Sequence, residues 1–220
     1  MKQDAQFVKD GAALATFSRP KVVTQFTGGF VPPFNVAATV EKMVETVPPK
    51  YLNGLSEIVL TNTAALPRKL RRSVTKSRKR KVRIVETAGL YHQSWHGKQA
   101  WIEIFVDNAL GAPPEGWLRW MWKWGLFRDT GLREVIFHEI GHHIHTTVRP
   151  EHREKEDAAD VWKLRLLRNY FRQRRPILRM AFRIVQSVFG PFYRRFYRRA
   201  MEQGVAKGWM SRAEFDESLK

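Results

Sequence analysis

Cysteine is absent from this 220-residue chain. Disulfides and thiolate-ligated metals are therefore excluded, and the composition fits a reducing compartment. No stretch reaches the ~18 consecutive uncharged apolar residues of a membrane-spanning helix. The opening MKQDAQFVKDGAAL carries Asp4 and no sustained apolar run, so it does not read as a secretory leader. These features point to a cytoplasmic protein, with peripheral attachment to a membrane as the variant. Two long tracts also lack acid: Arg68 to Arg83 holds ten Lys or Arg and Val161 to Ala200 holds twelve, without one Asp or Glu. The formal charge of +18 is thus concentrated, and the rest of the chain is slightly acidic. Residues 68–83 and 163–199 are expected to meet an anionic partner, either nucleic acid, an acidic membrane surface or an acidic protein.

What is present argues for a folded chain with one good core: 43% hydrophobic residues and eight Trp. KVVTQF has strand character, although residues 1–34 otherwise give little pattern. Asn35 caps a helix with Val36, Val40, Met43, Val44 and Val47 at helical spacing, and Pro48-Pro49 ends it. GLSEIVLTNT, VRIVETAGLYHQSW and QAWIEIFVDNAL read as a small sheet, with the basic tract between them as a hairpin or a solvated irregular connection. In GWLRWMWKWGLF, Trp117, Trp120, Met121 and Trp124 share a helical face that packs on the core or forms a partly exposed aromatic lid.

A helix is expected from Asp129 or Thr130 to about Thr147, and a second from near Pro150 to Arg175. A third opens at Pro176, and Gly190-Pro191 breaks the chain before FYRRFYRRAMEQ. Ser211 and Glu214 form a capping box for a last short helix. The organisation predicted is a segment over 1–34, a domain over 35–175 and a basic amphipathic tail over 176–220, packed on the core or extending from it.

The stretch HEIGHHIH, residues 138–145, carries the chemistry. Residues four apart on a helix share a face, so His138 and His142 can reach one ion. Glu139 lies one ~100° step away, off the metal but within reach of a water on it. Ile136, Ile140 and Ile144 form the opposite, core-facing row. A catalytic zinc takes three protein ligands and keeps a position for water. A third ligand at His145, on the same helix, would strain the tetrahedron. His at 148 would complete a three-histidine spacing, but Val148 stands there. Glu156, on a second helix folded back antiparallel, fits the requirement. Asp157 replaces it if that helix is rotated. Asp160, one turn after Glu156, would accept the second N–H of a ligand imidazole. Ala158 and Ala159 are small enough for close helix packing. His143 and His145 read as surface or core-edge residues.

HEIGH followed by EDAAD resembles the gluzincin zinc metallopeptidases, with their HExxH and ExxxD helices, and is most similar to the small members. The resemblance spans residues 40 to 170, and its motifs lie within 134–162. It implies an α+β, zincin-like fold: a small twisted sheet whose edge strand lies over the HExxH helix and pairs with an extended peptide, followed by a helical part. WIEIFVDNAL is similar to that edge strand. The resemblance further implies Zn2+ held by His138, His142 and Glu156, with Glu139 as general base and acid and Asp160 behind the ligands. The oxyanion donor matches no motif: Tyr91, His92, His96, His152 and Tyr170 are candidates. The expected activity is hydrolysis of a protein or peptide. The alternative is a catalytically weak or inactive zincin-like module that binds an anionic partner through its Arg-rich tracts.

Overall fold

The computed structural model of the chain describes residues 19–77, 80–111, 128–148, 155–174 and 195–219. The expectations for the Trp-rich segment, the turn at Pro150, His152 and the helix from Pro176 lie outside those residues.

A mixed α+β architecture is built on one four-stranded sheet. Strand β1 (Lys21–Gln25) lies beside β2 (Leu55–Thr61), in parallel, with Val22 opposite Ile58. The crossover between them is α1 (Val36–Val44), which buries Val36, Val40, Met43 and Val44. Asn35 accepts a bond from the Ala38 N–H at 3.0 Å, the cap expected of it. After β2 come a short helix α2 (Arg68–Arg71) and a separate antiparallel hairpin, β3 (Val74–Ser77) with β4 (Arg80–Arg83). The basic tract thus forms structure of its own.

The chain then returns to the main sheet through β5 (Gly89–His92) and β6 (Ala100–Phe105). The order is β1-β2-β6-β5. Strand β6 runs parallel to β2 and antiparallel to β5. The sheet therefore includes Lys21–Gln25, upstream of the boundary expected at 35.

The edge strand of the sheet is not the one expected from the sequence. Residues 101–110 do not form the edge strand. Ala100–Phe105 lies inside the sheet with Ile102, Ile104 and Phe105 fully buried, and Val106–Leu110 turns into a helix, α3. The outer strand, beside the helix that carries residues 138–145, is β5, and Gly89 is what lets it approach. A Cβ there would come within 2.7 Å of Val135 Cγ1 and 2.9 Å of Glu139 Cγ. The alternation of WIEIF reports one buried and one partly exposed face, and it does not show whether the strand lies at the rim or inside the sheet.

Helix α4 (Thr130–Val148) crosses below the sheet with Ile136, Ile140 and Ile144 fully buried, the core face read from the sequence. Helix α5 (Lys155–Arg174) packs against α4. Gly141 of α4 and Ala159 of α5 approach closely: a Cβ on Gly141 would sit 2.6 Å from the Ala159 carbonyl oxygen.

The C-terminal region closes the core. Helix α6, residues 195–206, buries Tyr197 and Met201, and the Arg168 guanidinium of α5 lies 4.7 Å from the Tyr197 ring. Helix α7 (Arg212–Leu219) starts with the capping box as expected. The Glu214 N–H donates to Ser211 Oγ at 3.2 Å, and the Ser211 N–H donates to Glu214 Oε2 at 2.9 Å. Phe215, Trp209 and Met210 join the same core. Residues 195–219 are therefore packed on the domain. No helix among the described residues is long and apolar enough to cross a membrane.

Candidate metal centre

His138 and His142 project from successive turns of α4, ring centroids 4.7 Å apart and nearly perpendicular. Glu156, in the first turn of α5, faces both: its Oε2 is 3.5 Å from His138 Nε2 and its Oε1 is 3.7 Å from His142 Nε2. One donor atom from each of the three lies within 4.8 Å of the others, so the group could hold a metal ion. Asp157 is exposed and outside this group.

Asp160 Oδ1 accepts from His138 Nδ1 at 3.1 Å, and His138 Nε2 faces Glu156. The ammonium of Lys163 contacts that same Asp160 oxygen at 3.1 Å and Glu134 Oε2 at 3.2 Å. Lys163 therefore ties α5 to α4 behind the histidine. It is one turn beyond Asp160, and Glu134 is one turn before His138. That spacing was legible, but it had no place in the motif.

Glu139 lies beside the group in a largely buried position, 7% exposed. Burial is the main cause that pushes its carboxyl up to about 8. The nearby Glu156 carboxylate adds to the rise, and the Tyr91 main-chain N–H, which donates to Glu139, opposes it. The contact with Tyr91 has a local reason. Phe105 N–H donates to the Ala88 carbonyl, so alternation along the β5–β6 ladder turns the main-chain groups of Gly89 and Tyr91 outward, away from β6.

The Tyr91 side chain is held elsewhere. His143 Nε2 donates to the Asn53 carbonyl at 2.9 Å, so its Nδ1 accepts from the Tyr91 hydroxyl at 3.2 Å. Burial lowers the His143 pKa and keeps the ring neutral. Burial also pushes the Tyr91 hydroxyl up to about 12, with a bond from Thr146 opposing. His143 is fully buried and His145 nearly so, deeper than the sequence implied.

A cleft of about 660 Å³ opens over the group, lined by residues 86–91 on one wall and by Glu134, His138, Glu139, His142, Glu156, Asp160 and Lys163 on the other. Of the candidate oxyanion donors, Tyr91 lines this cleft. His92 does not: it stacks on Trp101 at 4.4 Å and meets Glu103 across the strand pair at 3.3 Å. Tyr170 is buried against Phe137 and beneath the Arg133 guanidinium, away from the cleft. His96 occupies a tight turn beyond β5.

Comparison of the chain with protein-family models, curated proteins and solved structures finds no match in any of the three.

Proposed function

We propose that this chain is a zinc metallopeptidase of the gluzincin type, hydrolysing peptide bonds with Glu139 as general base. The observation that carries the reading is the convergence of His138, His142 and Glu156 in an open cleft beside a buried carboxyl, Glu139. The donor set, two imidazoles and one carboxylate, is that of a catalytic zinc site. Bonds of ~2.0–2.1 Å in a tetrahedron imply donor separations of roughly 3.4 Å. The observed 3.5 and 3.7 Å are close to that value. An outer antiparallel strand beside the HExxH helix supports a zincin-like arrangement.

Zinc in this position would polarise a scissile carbonyl and acidify a water. The remaining roles belong to the chain. Asp160 holds His138 in the tautomer whose Nε2 is a ligand, and Lys163 holds Asp160. Glu139 takes a proton from the attacking water at its carboxylate and delivers it to the departing amine. A dication next to Glu139 favours its ionised form, which suits a base at neutral pH. Of the outward main-chain groups of β5 the Tyr91 N–H is held by Glu139, and the Gly89 groups and the Tyr91 carbonyl offer an edge on which an extended substrate can pair.

The decisive experiment joins metal analysis to digestion of a peptide library by purified protein. The wild type is expected to carry stoichiometric zinc and to cleave. His142→Ala loses both, and Glu139→Gln keeps zinc but loses turnover. Undiminished cleavage by Glu139→Gln rules the mechanism out.

A second reading draws on the exposed cations Arg68, Lys69 and Arg72 near α2 and Arg195, Arg198 and Arg199 on α6. These would bind an anionic partner whether or not the metal is present. Salt-sensitive retention on DNA and flotation with acidic liposomes separate the two partner types.

A further inference from the structure

A second cleft of about 600 Å³ adjoins the first. Tyr91 and Thr146 line both, so the two meet at the end of β5. Its outer wall is a tight turn at 95–98. Trp95 and Lys98 exchange main-chain bonds at 3.1 and 3.0 Å, and His96 and Gly97 between them have φ of 47° and 80°. Positive φ at both central positions matches the turn that closes the shortest hairpins, and a glycine at the second one makes it accessible. The turn presents Trp95 to solvent with 73% of its surface exposed, and the His96 ring meets the indole edge-on at 4.7 Å. An indole held by a preorganised turn above a cleft is a surface suited to binding another ring.

We propose that this second cleft, with Trp95 as its platform, is a specificity subsite that takes a large aromatic side chain of an extended peptide. This inference rests on the peptidase reading of the metal centre. The outward Gly89 main chain and the Tyr91 carbonyl set the path of the peptide, and the shared wall at Tyr91 and Thr146 makes the path continuous. Trp95 lies four residues past Tyr91, within about 13 Å along an extended chain. The aromatic residue is therefore about three or four positions from the bond that is cut. Strand β5 runs from Gly89 toward Trp95, and antiparallel pairing is the more stable kind. The residue then falls on the amino side of the scissile bond.

The test uses the full chain loaded with zinc and a library of proteome-derived peptides, read by mass spectrometry. Expected is an enrichment of Phe, Tyr or Trp at one position on the amino side, three or four residues from the cut. Trp95→Ala should abolish the enrichment and lower kcat/KM for the best-cleaved peptide by about tenfold. The same peptide with Ala at that position should be cut equally by both proteins. Trp95→Phe should restore most of the preference. An unchanged profile in Trp95→Ala, or enrichment confined to the positions flanking the cut, overturns the proposal. Binding provides an independent readout. A fluorescein-labelled Phe-containing decapeptide should bind Glu139→Gln, and adding Trp95→Ala should weaken that binding about tenfold. If nothing is cleaved yet the labelled peptide binds through Trp95, the peptidase reading fails and the subsite stands. Equal binding with and without Trp95 removes the subsite whatever the activity.

Discussion

Gly141 and Ala159 bring two helices into main-chain contact next to His142 and Asp160. The space a Cβ would need at Gly141 is occupied by the Ala159 carbonyl oxygen at 2.6 Å and its Cα at 3.0 Å. His142 follows Gly141, and Asp160 follows Ala159. The same contact therefore sets the distance between His138 and His142 on α4 and the carboxylates on α5. Gly141→Ala gains about 1 kcal/mol of helix propensity. The overlap is with backbone, which cannot rotate away, and overpacking of this kind costs about 1–3 kcal/mol. The expected outcome is a variant no more stable than wild type in urea titrations, with weaker metal retention against a chelator. A more stable variant with unchanged metal affinity would contradict the argument.

Glu156 and Asp157 are neighbours in sequence with opposite fates in the structure. Glu156 faces both histidines, and Asp157 faces solvent. Glu156→Gln should drop bound metal to background, whereas Asp157→Asn should leave it unchanged. Metal analysis of the two purified variants decides between the rotations of α5. Loss of metal in Asp157→Asn alone would reverse the assignment.

Much of this site was legible because its signals are local. The i, i+4 spacing of His138 and His142, the carboxylates at 156 and 160, the Asn35 cap and the Ser211–Glu214 box each involve residues within one or two helical turns. The Ile136, Ile140 and Ile144 row likewise follows from helical period alone. What failed depends on pairing across the chain. Residues 101–105 have the alternation of a half-exposed strand, yet β2 and β5 cover both edges and α4 and α1 help fill the space around them. Gly89, not any apolar pattern, puts β5 against α4. His143 looks like a surface residue until Asn53 and Tyr91, ninety and fifty-two positions away, supply its partners. Tyr170 and His92 were plausible donors by residue type only. Their ring neighbours, Phe137 and Trp101, put them elsewhere.

Lys163 and Asp160 act as one link behind His138, and this has a measurable signature. Lys163→Met removes the cation that steadies Asp160 and leaves Glu134 without its contact across the helices. Asp160→Asn keeps an acceptor for His138 Nδ1 but weakens it. Each change is expected to lower metal affinity about tenfold or more. Because both break the same chain of contacts, the double variant should lose little beyond the worse single one. Chelator competition on the four proteins measures this. Additive losses would mean that Lys163 acts on the site by a separate route.

Glu214 predicts how the fold responds to acid. Its carboxylate accepts from the Tyr51 hydroxyl at 2.8 Å and from the Ser211 N–H at 2.9 Å, and Arg165 lies 3.9 Å away. Burial alone would raise its pKa, but the bonds from Ser211 and Tyr51, with the Arg165 charge, outweigh this and hold it below the usual 4.5. The folded state therefore favours the ionised form. The stabilisation is fully present above pH 4.5 and is lost as the pH falls through the depressed folded value. Glu214→Gln preserves volume but cannot ionise, so it should be less stable than wild type at neutral pH. The gap between the two should narrow steadily below about pH 4.5. Urea denaturation of both proteins from pH 7 down to pH 3 tests this. A gap that stays constant across the range would show that Glu214 joins α7 to the core by shape and hydrogen bonding alone, with no contribution from its charge.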